Sequence, residues 1–138
     1  MPFAVAGYPI EVVVLAVRRA DSRLATVLRY ARALQVGAGR FTSQAGHDQC
    51  FNALPDVVAL AEEHPAITAV TVIRRDGRAL LRHEAGSPGR ARWMLESERN
   101  RPYTEQEGAA FFALYRGLRQ ALPQLAMSWT TSRGSPAR

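Results

Sequence analysis

Lysine is absent from this sequence, because all 18 basic residues are arginine. Arginine stays charged at any working pH and binds phosphate or carboxylate through a planar fork, but it does not replace the lysine of a Walker phosphate-binding loop. A Walker motif is therefore excluded within these 138 residues. Cysteine is nearly absent as well. With Cys50 alone, an internal disulfide and a cysteine zinc site are excluded, and a reducing cytoplasm fits.

Two other classes of site lack the side chains that they need. The histidines, His47, His64 and His83, are far apart in the sequence and have no metal-ligand spacing, and no serine lies in a Gly-x-Ser-x-Gly turn. The apolar stretch that opens the chain is interrupted by Pro9 and Glu11 and is too short to span a bilayer. We expect no metal site and no membrane segment.

Composition indicates one compact domain or part of one, with 47% hydrophobic residues in 138. A net charge of +6 and a pI near 10.6 make nucleic acid an obvious partner to test. The arginines, however, are spread from Arg18 to Arg138 with acidic residues among them, and no basic run is interleaved with aromatic residues. This distribution disfavours nucleic-acid binding.

The first part of the chain predicts a strand followed by a helix. Ile10 to Val17 is a β-branched run with almost no alternation, which is typical of a strand buried on both faces of a parallel sheet. Asp21 or Ser22 is placed to cap a helix over residues 20–36, in which Arg29 lies on the outward face. The predicted buried stripe of this helix is Leu24, Val27, Leu28, Ala31 and Leu34.

A glycine-containing turn then presents Arg40, and Thr42 or Ser43 is placed to cap a helix over residues 44–52. Pro55 suits the first turn of a separate helix that runs to residue 63. The pair His47 and Asp48, with the nearby Cys50, is not predicted to form a catalytic triad, because neighbours on a helix point to different faces. A structural role for His47 near the Arg40 turn is the better interpretation.

The rest of the chain predicts a hairpin and a helical end. Asp76-Gly77 accepts the positive φ angles of a tight two-residue turn, so we expect a hairpin over residues 67–84. Helices are expected within residues 88–122, and Thr104 to Glu107 has the capping-box pattern. Residues 123–138 form a polar tail. The predicted fold class is α/β.

The order of these pieces resembles the C-terminal half of the zeta toxin family of bacterial toxin–antitoxin kinases. The resemblance covers residues 7–84, and more loosely the segment from Arg101 onward, so that residues 1–122 form a zeta-toxin-like portion. It rests on Gly7-Tyr8-x-x-Glu11, Arg29-Tyr30, Gly39-Arg40-Phe41-Thr42, Gly46-His47-Asp48 and Leu54-Pro55. The resemblance implies part of a P-loop kinase fold in which the helix over residues 20–36 belongs to the lid.

The resemblance also implies a reaction. Zeta toxins transfer the γ-phosphate of ATP, with magnesium, to the 3′-hydroxyl of UDP-N-acetylglucosamine. Arg29 and Arg40 match the two arginines that contact the nucleotide phosphates in the family, and Thr42, His47 and Asp48 fall beside them as structural residues. The family's phosphate loop and catalytic aspartate lie upstream of the strand that begins near Tyr8. We therefore expect a fragment without catalytic residues of its own that is inactive alone.

Three alternatives stay open, and with them the question of whether the chain is an enzyme. In the first, the chain works as a split kinase with a separate polypeptide that carries the P-loop. In the second, the chain is a non-catalytic module that sequesters a small helical antitoxin. A nucleic-acid binder ranks last. A cytoplasmic location suits all of them.

Overall fold

The structure is a computed structural model that describes residues 2–37 and 40–121. The α/β class is confirmed for this part of the chain. The helices are α1 (Pro2–Val5), α2 (Arg19–Gln35), α3 (Gln44–Glu63), α4 (Ala91–Arg99) and α5 (Glu105–Ala121), and the strands are β1 (Ile10–Leu15), β2 (Ile67–Ile73) and β3 (Ala79–Glu84). The predicted polar tail, residues 123–138, lies outside the described residues.

The strands form one mixed sheet in the order β1-β2-β3. Strand β1 runs parallel to β2, whereas β2 and β3 are antiparallel and form the predicted hairpin. In its turn, Gly77 has a φ of 87°, which favours glycine, and the Arg78 backbone N–H donates to Asp76 Oδ1 at 2.9 Å. The hairpin is confirmed, but the expected two-residue turn is wrong. The Arg74 N–H donates to the Arg78 carbonyl at 2.8 Å, so residues 75–77 lie between this pair, and Gly77 has a positive φ whereas Asp76 does not.

One face of the sheet packs on α3 and α4. Val12 and Val14 of β1 lie on this face, and Val14 is 5% exposed. The buried members of this core are Val14, Ala16, Val58, Ala61, Val70, Val72, Ala91 and Leu95. The opposite face carries Val13 and Leu15, which are 62% and 48% exposed. Our prediction that β1 is buried on both faces is therefore wrong for the residues that the structure describes: only one face is covered.

Helix α3 is continuous from Gln44 to Glu63, with Pro55 inside it. The prediction of two helices separated at Pro55 is wrong. Proline has no N–H to donate to the carbonyl four residues earlier, that of Phe51. Arg99 supplies a donor instead, because its Nη1 lies 2.7 Å from the Phe51 carbonyl oxygen. A distant side chain thus satisfies the group that proline leaves open.

The start of α3 is capped by Ser43 rather than Thr42. The Gly46 N–H donates to Ser43 Oγ at 3.1 Å, and the His47 N–H donates to the Ser43 carbonyl at 3.0 Å. Helix α2 begins at Arg19, so Asp21 lies in its first turn and not at a cap position. At the other end of the chain, the Glu107 N–H donates to Thr104 Oγ1 at 3.1 Å, which confirms the predicted cap of α5.

The chain divides into two compact units. The first unit, residues 1–19 and 49–101, contains the sheet and the core described above. The second unit, residues 20–48 and 102–138, has a smaller core in which Leu24 and Val27 of α2 pack with Leu118 of α5. Partly buried side chains complete this second core: Leu28, Ala31, Phe111 and Tyr115.

Candidate functional site

A chain of hydrogen bonds in the second unit joins α2 to the first turn of α3. Ser22 Oγ lies 2.8 Å from His47 Nε2, and His47 Nδ1 lies 2.8 Å from Asp48 Oδ1. A carboxylate only accepts, so Nδ1 carries the proton, and in a neutral imidazole Nε2 accepts from the Ser22 hydroxyl. Both ring nitrogens of His47 therefore have partners, and the side chain is 8% exposed.

Arg23 completes this network from the same turn of α2. Its Nε and Nη2 donate to Asp48 Oδ1 and Oδ2 at 3.0 Å and 2.5 Å, a two-pronged ion pair. The hydrogen bonds from Arg23, helped by the one from His47, hold the pKa of Asp48 far below its usual range, although partial burial opposes them. Asp48 is thus a carboxylate at any physiological pH, and it fixes two neighbours at once.

The order Ser22, His47, Asp48 has the connectivity of a hydrolase triad. Our argument that neighbours on a helix diverge is wrong for His47 and Asp48, since their side chains are hydrogen bonded. However, Arg23 occupies both carboxylate oxygens and His47 is buried, so the histidine is poorly placed to take a proton from a substrate nucleophile. The network fits a structural link between two helices better than a nucleophile site.

Arg29 and Arg40 lie near this link in the sequence, and both are exposed. Tyr30 and Phe41, which directly follow them, contact each other edge to face with ring centroids 5.5 Å apart and planes at 74°. This contact brings the two backbone positions that carry the arginines into one neighbourhood. Thr42, the remaining predicted site residue, is exposed in the loop before α3.

Arg29 and Arg40 have the chemistry to bind an oxyanion. Two exposed guanidinium groups, carried on segments that an aromatic contact joins, can each donate a fork of N–H groups to phosphate oxygens. Within residues 2–37 and 40–121, no cluster of three histidine, cysteine or acidic side chains is suited to hold a metal ion. The same residues contain no helix long and apolar enough to cross a membrane.

Two members of the network were missed by reasoning from the sequence. Ser22 was interpreted only as a cap, and Arg23 was not singled out, although they are the partners of His47 and Asp48. Each of these pairs is separated by 25 residues. Helical spacing shows which face a residue occupies, but it does not show which distant residue that face meets.

A family model described as zeta toxin matches residues 2–86. Among solved structures, a chain from the PezAT chromosomal toxin–antitoxin system of the human pathogen Streptococcus pneumoniae is similar, with a TM-score of 0.68 and 19% sequence identity. The match covers 86% of this chain and 46% of that one, so the present chain spans less than half the length of its structural relative. No curated protein matches.

Proposed function

This chain belongs to the zeta toxin family, and on that premise we propose that it supplies the phosphate-binding lid of an ATP-dependent phosphotransferase. In this proposal Arg29 and Arg40 contact the phosphates of ATP. The proposed reaction is transfer of the γ-phosphate to the 3′-hydroxyl of UDP-N-acetylglucosamine. Phosphoryl transfer depends mainly on positioning and on cations placed against the charge of the transferred group, which is the contribution that two arginines can make.

The observation that carries this proposal is the contact of Tyr30 with Phe41. Each ring follows one of the two arginines, and both arginines are exposed. The hydrogen bonds from Ser22 to His47 and from His47 to Asp48 stabilise the same region, because they join α2 to the first turn of α3, which follows the Arg40 loop. A lid of this kind needs its cations in fixed relative positions, since electrostatic catalysis depends on preorganised groups.

We propose that the remaining parts of the reaction come from outside the described residues. No lysine occurs in the sequence to serve as the P-loop lysine. The guanidinium groups of Arg29 and Arg40 suit phosphate oxygens, whereas the described residues offer no ligand cluster for magnesium. We therefore propose that these 138 residues alone do not transfer phosphate, and that a segment or polypeptide bearing the P-loop completes the site.

The test is a reconstitution. The chain is assayed for ATP-dependent phosphorylation of UDP-N-acetylglucosamine alone and after addition of the P-loop half of a zeta toxin. We expect turnover only in the mixture. In the mixture, Arg29→Ala and Arg40→Ala should each lower kcat by about 10²–10³-fold, as loss of one transition-state donor does elsewhere.

Arg119→Ala is the matched control, because Arg119 is an exposed helical arginine of the same unit. It should leave kcat unchanged. Turnover by the chain alone, or an equal loss in all three arginine variants, would refute the proposal. A mixture that is active but insensitive to Arg29 and Arg40 would show that the lid assignment is wrong.

The open face of the sheet supports a split enzyme as the form in which the P-loop is supplied. Val13 and Leu15 of β1 are exposed, whereas Val12 and Val14 of the same strand pack in the core. An apolar strand surface of this kind is an interaction site or an aggregation hazard. We expect Val13→Asp to abolish co-purification of the chain with a co-expressed P-loop half, and Val57→Asp, which changes an exposed valine of α3, to leave it intact.

An antitoxin partner is the second candidate function. It is favoured by the structural match to a chain from a toxin–antitoxin system. In this alternative the chain binds a small helical antitoxin and performs no chemistry. A calorimetric titration with such an antitoxin tests this alternative. Saturable binding by a chain that stays inactive with the P-loop half supports a non-catalytic module, and absence of binding refutes it.

A further inference from the structure

Arginines gather where the two parallel strands of the first unit end. Strand β1 is followed by Arg18-Arg19 and β2 by Arg74-Arg75, and the Ala16 N–H donates to the Ile73 carbonyl at 2.9 Å at this edge of the sheet. The carboxyl ends of parallel strands are where α/β proteins usually bind ligands. We define the edge arginine cluster as three arginines from these two segments and two at or just after the end of α4: Arg18, Arg19, Arg74, Arg99 and Arg101.

The carboxylate of Glu98 holds one part of this cluster. Glu98, which is 9% exposed, accepts from Arg74 Nε and Nη2 at 2.9 Å and 3.2 Å and from Arg101 Nε at 3.2 Å. Arg18 Nη1 also donates to the Arg101 carbonyl at 3.3 Å. These arginines are held in place by the protein's own groups, so they form the frame of the cluster.

Arg19 and Arg99, the other part of the cluster, contact the ring of Phe51. The guanidinium carbons of Arg99 and Arg19 lie 3.6 Å and 4.6 Å from the centroid of Phe51. Arg99 Nη1 donates to the Phe51 carbonyl at 2.7 Å, and Arg19 Nη2 donates to Asn52 Oδ1 at 2.6 Å. Both guanidinium groups therefore contact the same ring, and their hydrogen bonds to Phe51 and Asn52 order the two long side chains.

Arg99 is in an environment that disfavours its charge. Burial, reinforced by the charge of Arg19 and opposed by Glu96, lowers the pKa of Arg99 to about 10. Arg99 still carries its charge at neutral pH. Its Nε is buried, and within the described residues that atom has no hydrogen-bond partner. An anion beside this guanidinium would offset the cost of placing two cations together.

We propose that Arg19 and Arg99, supported by Phe51, bind the terminal phosphate group of a small molecule. A phosphate dianion matches the charge of these two guanidinium groups and offers oxygens to both, beside their hydrogen bonds to Phe51 and Asn52, whereas a carboxylate carries a single charge. The site lies in the first unit, whereas Arg29 and Arg40 belong to the second. It therefore does not depend on the proposed lid function.

The test uses the whole chain and pyrophosphate as the probe, with the arginine Nε–H signals followed by NMR. The buried Nε–H of Arg99 should give a distinct, slowly exchanging signal. We expect saturable shifts of the Arg19 and Arg99 signals. Arg19→Gln and Arg99→Gln should each weaken binding by about tenfold or more, because each removes a charge-assisted fork. Arg119→Gln, with the same change of charge, should have no effect.

Arg99→Gln also removes the donor to the Phe51 carbonyl, so it can unfold the chain. Arg19→Gln leaves that bond intact and then decides the question: unchanged affinity in Arg19→Gln overturns the proposal. In a double Arg29→Ala, Arg40→Ala variant, pyrophosphate should still shift the Arg19 and Arg99 signals at the same concentrations, which separates this site from the lid. Inorganic phosphate serves as the minimal probe. If a short single-stranded oligonucleotide shifts the same signals at lower concentration than pyrophosphate, the cluster is a nucleic-acid surface and the proposal fails.

Discussion

Tyr30 meets Phe41 edge to face, with 5.5 Å between the ring centroids. Tyr30 lies on α2, and Phe41 lies in the loop that leads to α3. Aromatic pairs in this geometry contribute beyond the area that they bury, because the positive edge of one ring faces the negative face of the other. The contact therefore holds the Arg40 loop against the helix that carries Arg29.

Removal of this ring contact should loosen the loop without unfolding the chain. In a double-mutant cycle of Tyr30→Ala and Phe41→Ala, we expect a coupling of about 0.5–1.5 kcal/mol in the free energy of unfolding. Chemical denaturation at 25 °C measures it. Tyr30→Phe keeps the ring and should retain the coupling with Phe41. A coupling near zero would show that the two rings do not support each other.

Asp48 should make stability depend on pH in the acid range. Its pKa is lowered in the folded chain, so the stabilisation is present above the unfolded pKa of about 3.9 and is lost as pH falls towards the folded value. Asp48→Asn should destabilise the chain by about 1–2 kcal/mol at pH 7 and should flatten the loss of stability below about pH 4.

The control for Asp48 is Asp56→Asn, since Asp56 is 74% exposed and pairs with Arg92 at the surface. We expect a change of less than about 0.5 kcal/mol. Denaturation midpoints measured from pH 7 down to pH 2 compare the two variants. Equal effects at both positions would mean that the network around His47 contributes no more than a surface ion pair.

Gly89 should be required because it leaves room for the Glu62 side chain, which accepts a hydrogen bond from the first residue of α4. The Ala91 N–H donates to Glu62 Oε1, and a Cβ on residue 89 would lie 2.6 Å from Glu62 Oε2. Because a glutamate end can move, the cost of Gly89→Ala is loss of that hydrogen bond, about 1 kcal/mol. In a Glu62→Ala background, where the bond is already lost, the same substitution should cost almost nothing.

Gly108→Ala provides the contrast. Gly108 lies within α5, and an added Cβ would meet nothing within 4 Å. We expect this substitution to stabilise the chain by about 0.5–1 kcal/mol, since alanine favours the helix. Thermal and chemical denaturation of both alanine variants test the difference. Stabilisation by Gly89→Ala would contradict the proposed contact with Glu62.

Pro55 and Arg99 should be coupled through the Phe51 carbonyl. Arg99→Met leaves that carbonyl without its donor and should cost about 1–3 kcal/mol. In a Pro55→Ala background the new N–H of residue 55 can donate to the same oxygen, so the cost should be smaller. A double-mutant cycle measures the difference. Purely additive costs would show that Arg99 does not replace the missing N–H.

Predictions from the sequence succeeded where adjacent residues determine the structure and failed where a distant residue does. The hairpin at Asp76-Gly77 and the Thr104 cap were predictable, although the turn type was not, because each depends on a few adjacent residues. The break at Pro55 was predicted from the same kind of rule and was wrong. Arg99, 48 residues from Phe51, supplies the missing hydrogen bond, and no local pattern announces such a partner.

Burial of β1 shows the same limit. A β-branched run predicts a strand, and the strand was found, but the run does not say how many faces other elements cover. In the described residues, α3 and α4 cover one face, whereas Val13 and Leu15 lie exposed on the other. The number of neighbours is a property of the assembled sheet and not of the strand.

By itself, the sequence determined the local elements whose signals are a few adjacent residues, and it determined which chemistry is available. It predicted the hairpin and the cap of α5, and its use of arginine as the sole basic residue type excluded a Walker lysine. Only the tertiary structure decided the pairings: Ser22 with His47, Arg23 with Asp48, and Arg19 and Arg99 on Phe51. The reason is physical, since a hydrogen bond or ring contact depends on distances in space, which chain folding creates between residues far apart in sequence.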